Sequence, residues 1–167
     1  SYNNAFSVVN NPPLVSSYTS DTSETYRTDS VVLMVEVSDV EDSDEEVTVT
    51  IEHMAPQGSW SSSYISSLWF NSSSQRWQAN FTPPISATLG DYDVRVMVTD
   101  ADDGTSVWST FSDNITVLNN APVFQNYATS ADEVLRTSTI VIGVNSTDTE
   151  DSETTHTVTI QYHAPSG

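Results

Sequence analysis

Three acidic groups carry most of the chemistry this sequence can offer. Asp39, Glu41 and Asp42 stand in VSDVEDSD, Asp100, Asp102 and Asp103 in TDADDG, and Asp148, Glu150 and Asp151 in TDTEDS. Carboxylates at such close spacing, together with backbone carbonyls, can supply the six to eight oxygens that Ca2+ takes. A Ca2+ site is therefore one expectation for these loops. The twelve-residue EF-hand spacing is not met. The other reading is that they are solvated turns of a very acidic chain.

A second chemistry is covalent. Asn71-Ser-Ser, Asn80-Phe-Thr, Asn114-Ile-Thr and Asn145-Ser-Thr are N-glycosylation sequons. Asn80, Asn114 and Asn145 fall on the outward parity of alternating segments and Asn71 falls in a loop. A glycan needs a surface position, so all four are expected to permit modification.

Catalysis finds no support. There is no GxSxG elbow, P-loop or HExxH pair. His53, His156 and His163 lack zinc spacing, and the serines lie in loops without an evident base. Two acidic clusters could imitate a glycosidase pair, but a small repeated β domain offers no cleft to hold it. The chain is expected not to be an enzyme. Tyr64, Trp69, Phe70 and Trp108, in SYISSLWF and SVWS, are candidates for an exposed aromatic surface that binds sugars or a protein partner.

The elements that must position these residues alternate with period 2. Val31, Leu33, Val35 and Val37 share one face. So do Val49 and Ile51, Trp77, Ala79 and Phe81, Tyr92, Val94, Val96 and Val98, and Ile115 and Val117. Such alternation, broken by turns rich in Ser, Asp, Asn, Pro and Gly, predicts short antiparallel strands and no helix. LGDY, Leu89 to Tyr92, has the form of a corner before a sandwich's penultimate strand, where a tyrosine hydroxyl caps the turn.

The chain also repeats itself. EDSDEEVTVTIEHMAP from Glu41 returns as EDSETTHTVTIQYHAP from Glu150, an offset of 109 residues. The same offset carries Asn10-Asn11 onto Asn119-Asn120, Tyr18 onto Tyr127 and Arg27 onto Arg136 without a gap. An ungapped period of this length reads as tandem domains rather than a short solenoid unit. Residues 1–11 are expected to be the last strand of a preceding repeat and its linker, 12–120 one complete β-sandwich, and 121–167 the first half of the next. NNPP and NNAP read as short, stiff linkers.

Composition narrows the partners. Four basic residues, all arginine, face 23 acidic ones, for a net charge of −19. Such a polyanion repels nucleic acid and anionic membrane and suits cations. Cysteine is absent, so the fold uses no disulfide. No apolar run approaches membrane-spanning length. Without lysine, Lys–Asn cross-links cannot form.

VSDVEDSD, a Trp-containing strand, TPP, LGDYDVRVMVTDADDG and VLNNAP together resemble the tandem immunoglobulin-like domains of archaeal and bacterial surface proteins. That loose group includes PKD-like, fibronectin-III-like and cadherin-like repeats. The resemblance implies an all-β fold and an extracellular, cell-surface setting, most of all archaeal, with work as a stalk, surface layer, adhesin or filament. It implies that the two acidic loops of a repeat lie at one end of the sandwich, beside Asn10-Asn11. Its DADDG resembles a calcium loop of cadherin-like domains. Partners would be neighbouring repeats, other copies of the chain, or glycans. A carbohydrate-binding adhesin and a strand-exchanging filament subunit stand as the alternatives.

Overall fold

The structure is a computed structural model that describes residues 6–163. The chain divides into two compact units, the first ending at Leu118 and the second beginning at Asn119. No α-helix occurs among the described residues.

Among the described residues the first unit holds nine strands: β1 Leu14–Ser20, β2 Glu24–Tyr26, β3 Val31–Ser38, β4 Thr48–Met54, β5 Trp60–Ser61, β6 Trp69–Asn71, β7 Arg76–Phe81, β8 Gly90–Thr99 and β9 Ser109–Leu118. They form a four-stranded sheet, β1-β3-β7-β6, and a five-stranded sheet, β2-β9-β8-β4-β5. Pairing is antiparallel except between β2 and β9, which run parallel with Thr25 opposite Val117. This is the strand order of an immunoglobulin-type sandwich.

Period-2 alternation explains why the sheets face each other. Val31, Leu33, Val35, Ala79 and Phe81 from one sheet meet Ile51, Tyr92, Val94, Val96, Val98, Ile115 and Val117 from the other in a single buried core. Burying these side chains on one face of each sheet drives the two together. Trp77 shares the inward parity but is only partly buried, because its indole Nε1 reaches the edge and donates to the Asp44 carbonyl at 2.8 Å. The Tyr92 hydroxyl donates to the Thr88 carbonyl at 2.9 Å, closing the corner that LGDY announces.

The second unit contains β10 Val123–Thr129, β11 Ile142–Thr147 and one 3-10 turn, Glu153–Thr155. β10 and β11 repeat the first unit's β1–β3 pairing residue for residue at the 109 offset. Tyr18 pairs with Val35 and Tyr127 with Val144; the register shift between Val15 and Ser17 returns between Phe124 and Asn126. Thr28 and Thr137 both adopt φ 72°.

Two expected strands are not formed. Phe6–Asn11 carry no strand, and residues 1–5 lie outside the described residues. Phe6 and Val8 are exposed, whereas Ile115 and Val117, their counterparts one period on, are buried within β9. Val158 and Ile160, counterparts of Val49 and Ile51, are likewise exposed and unpaired. The reason is shared: β9 and β4 both owe their place to β8, which binds them along seven and six residue pairs respectively in the order β4, β9. Neither unpaired segment has such a neighbour among the described residues.

Candidate functional site

The acidic loops and the entering chain meet at one end of the first unit. Asn10 and Asn11 precede β1, Asp39–Asp42 follow β3, and Asp100–Asp103 follow β8. Asn10 Nδ2 donates to Asp100 Oδ2 at 2.7 Å. Asn11 donates to Glu41 Oε1 twice, from its side chain at 2.7 Å and its backbone at 3.3 Å. The Ala101 amide donates to Asp42 Oδ2 at 3.3 Å, tying the two loops to each other.

Asp100 is the centre of this arrangement. It is 6 % exposed, and a buried carboxylate must be hydrogen-bonded to stay. Its Oδ1 accepts the amides of Asp102 at 2.9 Å and Gly104 at 2.7 Å, leaving Oδ2 for Asn10. Glycine at 104 leaves room for this contact, since a Cβ there would collide with Asp100 Oδ2 and Asn10 Nδ2 and push those side-chain ends apart. Asp103 reaches φ 65° to complete the turn. Asp39 organises the other loop. The amides of Asp42 and Glu41 donate to its Oδ1 at 3.0 and 2.8 Å. These bonds, that of Asp42 first, hold the Asp39 carboxyl below the usual carboxylate range.

The second unit builds the same device. Asn120 donates to Glu150 Oε1 from its side chain at 2.9 Å and its backbone at 3.0 Å. The amides of Glu150 and Asp151 donate to Asp148 Oδ1 at 2.8 and 3.0 Å. They hold the Asp148 carboxyl low, that of Glu150 contributing most.

Asp39, Glu41, Asp42, Asp100, Asp148 and Glu150 thus accept from N–H groups, while Asp39 Oδ2 and Glu150 Oε2 are buried without a hydrogen-bond partner. Asp102 and Asp103 do not converge on the others, and among the described residues no three acidic or histidine side chains gather closely enough to hold a metal ion. Asp100 accepts two N–H groups at Oδ1 and one at Oδ2. Sequence reasoning placed the linker and both loops together and read the carboxylates either as Ca2+ ligands or as solvated turns, without the amide donors. The repeated Asn–Asn before each acidic loop was the signal for amide donors.

The sequons separate by their surroundings. Asn71 is engaged at both ends of its amide, accepting from the Ser73 amide at 3.0 Å and donating to Gln78 Oε1 at 3.2 Å. Asn114 has its Oδ1 buried. Asn80 and Asn145 have side-chain amides that make no hydrogen bond among the described residues.

The aromatic candidates do not form one surface. Tyr64 stacks on His53 at 4.4 Å, and Phe70 packs on Trp77 at 5.7 Å. Trp69 remains 40 % exposed on β6. Trp108 covers one side of Arg95 at 4.0 Å, and Trp60 lies over Arg95 at 4.5 Å. Arg95 also donates from Nε to Glu52 Oε2 at 2.8 Å. This group pins β5 and the segment before β9 onto the outer face of β8 and β4.

No catalytic group emerges from the histidines. His53 is 3 % exposed, boxed by Tyr64, Phe81 and Tyr92, with neither ring nitrogen hydrogen-bonded. Burial lowers its pKa. His156 Nδ1 lies 2.6 Å from Ser146 Oγ, a pair that sequence reasoning missed. Its Nε2 has no orienting partner, and one period earlier the two positions are Val37 and Val47, both in the core. The pair is a polar substitute for a core contact; Asp148 lies close enough to interact electrostatically with His156, but no hydrogen bond joins them to orient the ring as a triad needs.

No family model matches the sequence, and no curated protein matches it. Among solved structures the chain is similar to one described as "Crystal structure of the titin domains z1z2 in complex with telethonin", at 12 % identity and a TM-score of 0.40. The match covers 83 % of this chain and 66 % of that one, so the chain spans just under two thirds of its length. The immunoglobulin-type assignment rests on the strand order and the Tyr92 corner, not on this likeness.

Proposed function

We propose that this chain is a stretch of a tandem immunoglobulin-like array, with a period of 109 residues, in an extracellular surface protein, and that its work is mechanical. Each sandwich spaces and displays; each Asn-Asn linker is held by the domain it leads into. The observation that carries the reading is the recurrence of the clamp. Asn11–Glu41 and Asn120–Glu150 share donor atoms, acceptor atom and offset. Only Asn119 stands between Leu118, the end of β9, and the clamped Asn120. The linker is thereby tied to the unit it leads into.

The charge of −19 suits a surface that repels its neighbours and stays soluble. Neighbouring repeats, in the same chain or in other copies, are the partners this reading requires, and no catalytic activity is part of it. Brief protease treatment of intact cells of the source organism tests the setting. Release of peptides from this chain before lysis supports it. Their retention until lysis refutes an extracellular location.

A further inference from the structure

We infer that Asn80 is an N-glycosylation site and that Trp69 is the platform on which the first sugar rests. The inference rests on the surface-displayed reading above and adds to it a modified residue and its receptor side chain. Asn80 lies in the sequon Asn80-Phe81-Thr82 on β7. Ala79 and Phe81 point into the core, so Asn80 points away from it. Its backbone is fully paired, the amide to Ser66 Oγ at 2.8 Å and the carbonyl to the Ser66 amide at 2.9 Å. Its side-chain amide has no competing partner among the described residues. Asn80 is half-buried, and Thr82, the third residue of the sequon, is exposed with its hydroxyl 2.7 Å from Ser30 Oγ.

Trp69 stands beside it. In the β6–β7 ladder Trp69 pairs with Gln78, two residues before Asn80 on the same face. Diagonal neighbours of this kind lie about 7–8 Å apart at the backbone, within reach of a large aromatic side chain. The C–H face of a pyranose on Asn80 would cover the exposed indole, which otherwise meets water at a sheet edge. The other sequons lack this combination. A glycan on Asn71 would break its bond to Gln78; Asn114 has its carbonyl oxygen buried; Asn145 has Asn126, not an aromatic residue, across the strand.

The step is a glycosyl transfer by a host enzyme from a lipid-linked glycosyl diphosphate. Asn80 Nδ2 forms a bond to the anomeric carbon and releases one proton. The bond from that carbon to the donor's diphosphate oxygen breaks, and the diphosphate leaves with the electron pair.

The test uses the full chain secreted from a eukaryotic cell line that N-glycosylates, with glycans trimmed to a single N-acetylglucosamine. Glycopeptide mapping should find Asn80 occupied. The trimmed protein should melt a few degrees above Asn80→Gln, and Trp69→Ala should abolish that difference while Trp69→Phe keeps part of it. An unoccupied Asn80 in secreted protein overturns the inference and leaves the array reading standing. A glycan-dependent melting shift that is equal in Trp69→Ala overturns the role of Trp69. Saccharide binding in trans at Trp69, with Asn80 unmodified, also overturns it.

Discussion

Asn11 donates to Glu41 Oε1 at 2.7 Å, and one period later Asn120 donates to Glu150 Oε1 at 2.9 Å. In both cases the adjacent backbone amide joins the same oxygen, and in both the loop is shaped by an aspartate three residues or fewer away, Asp39 or Asp148. The linker is thus bound to the domain that follows it by the same atoms twice.

Asp100 should be the most sensitive residue of the clamp. Asp100→Ala removes the acceptor of three N–H groups at a buried position. The expected loss is about 2–4 kcal/mol, from leaving several donors unsatisfied. Gly104→Ala should weaken the same contact by steric displacement of Asn10. Urea unfolding followed by tryptophan fluorescence measures both. Midpoints equal to the wild type would remove Asp100 from the account.

His53 should make stability depend on pH above the carboxylate range. Burial lowers its folded pKa below the unfolded value near 6.5. The unfolded chain then binds more protons below that pH, so stability is intact above about pH 6.5 and falls as the pH drops beneath it. The slope cannot exceed about 1.4 kcal/mol per pH unit for one group. His53→Tyr, which installs the residue found at Tyr162 one period on, should flatten the curve between pH 7 and 5.5. An unchanged slope in that variant would contradict the assignment.

Trp77 closes the edge of the core and spans to the Asp44 carbonyl. Trp77→Ala should cost about 2–4 kcal/mol, somewhat below the range for a fully buried aromatic. Trp77→Phe should recover the packing but not the hydrogen bond. Denaturant titration of the pair separates the two contributions.

Calcium removal offers a direct check on the acidic loops. Asp39 Oδ2 and Glu150 Oε2 are buried without a hydrogen-bond partner, but no three acidic or histidine side chains gather closely enough among the described residues to hold a metal ion, so melting in EDTA and in millimolar calcium should coincide at matched ionic strength. A calcium-specific rise that Asp100→Asn abolishes would show the loops exchanging amide donors for a cation.

Much of the fold was legible because period-2 alternation reports burial directly. Val31 to Val37, Ala79, Phe81 and Tyr92 to Val98 are buried on the parity read from the sequence. The Tyr92 corner carried a local signature in the same way. The Trp60–Arg95–Trp108 group was not legible, because its members come from three separate segments that only sheet order brings onto one face. Ser146–His156 was hidden for the opposite reason: each looked like an ordinary polar residue until β11 and the following turn set them 2.6 Å apart. At the clamp, the sequence displayed the acidic charge and concealed the Asn and backbone amides that several carboxylate oxygens accept from.

The central claim is a stiff tandem array, and it can be measured on a chain in which residues 59–118 follow Gly167. Gly167 occupies the place of Gly58 one period on, so this extension supplies counterparts of β5 to β9 to the second unit. Small-angle scattering should show two folded sandwiches with no disordered remainder. Glu150→Ala should broaden the distance distribution without shortening the chain. A profile showing one folded domain with a disordered remainder would contradict the tandem repeat. A profile unchanged by Glu150→Ala would contradict the clamp as the source of stiffness.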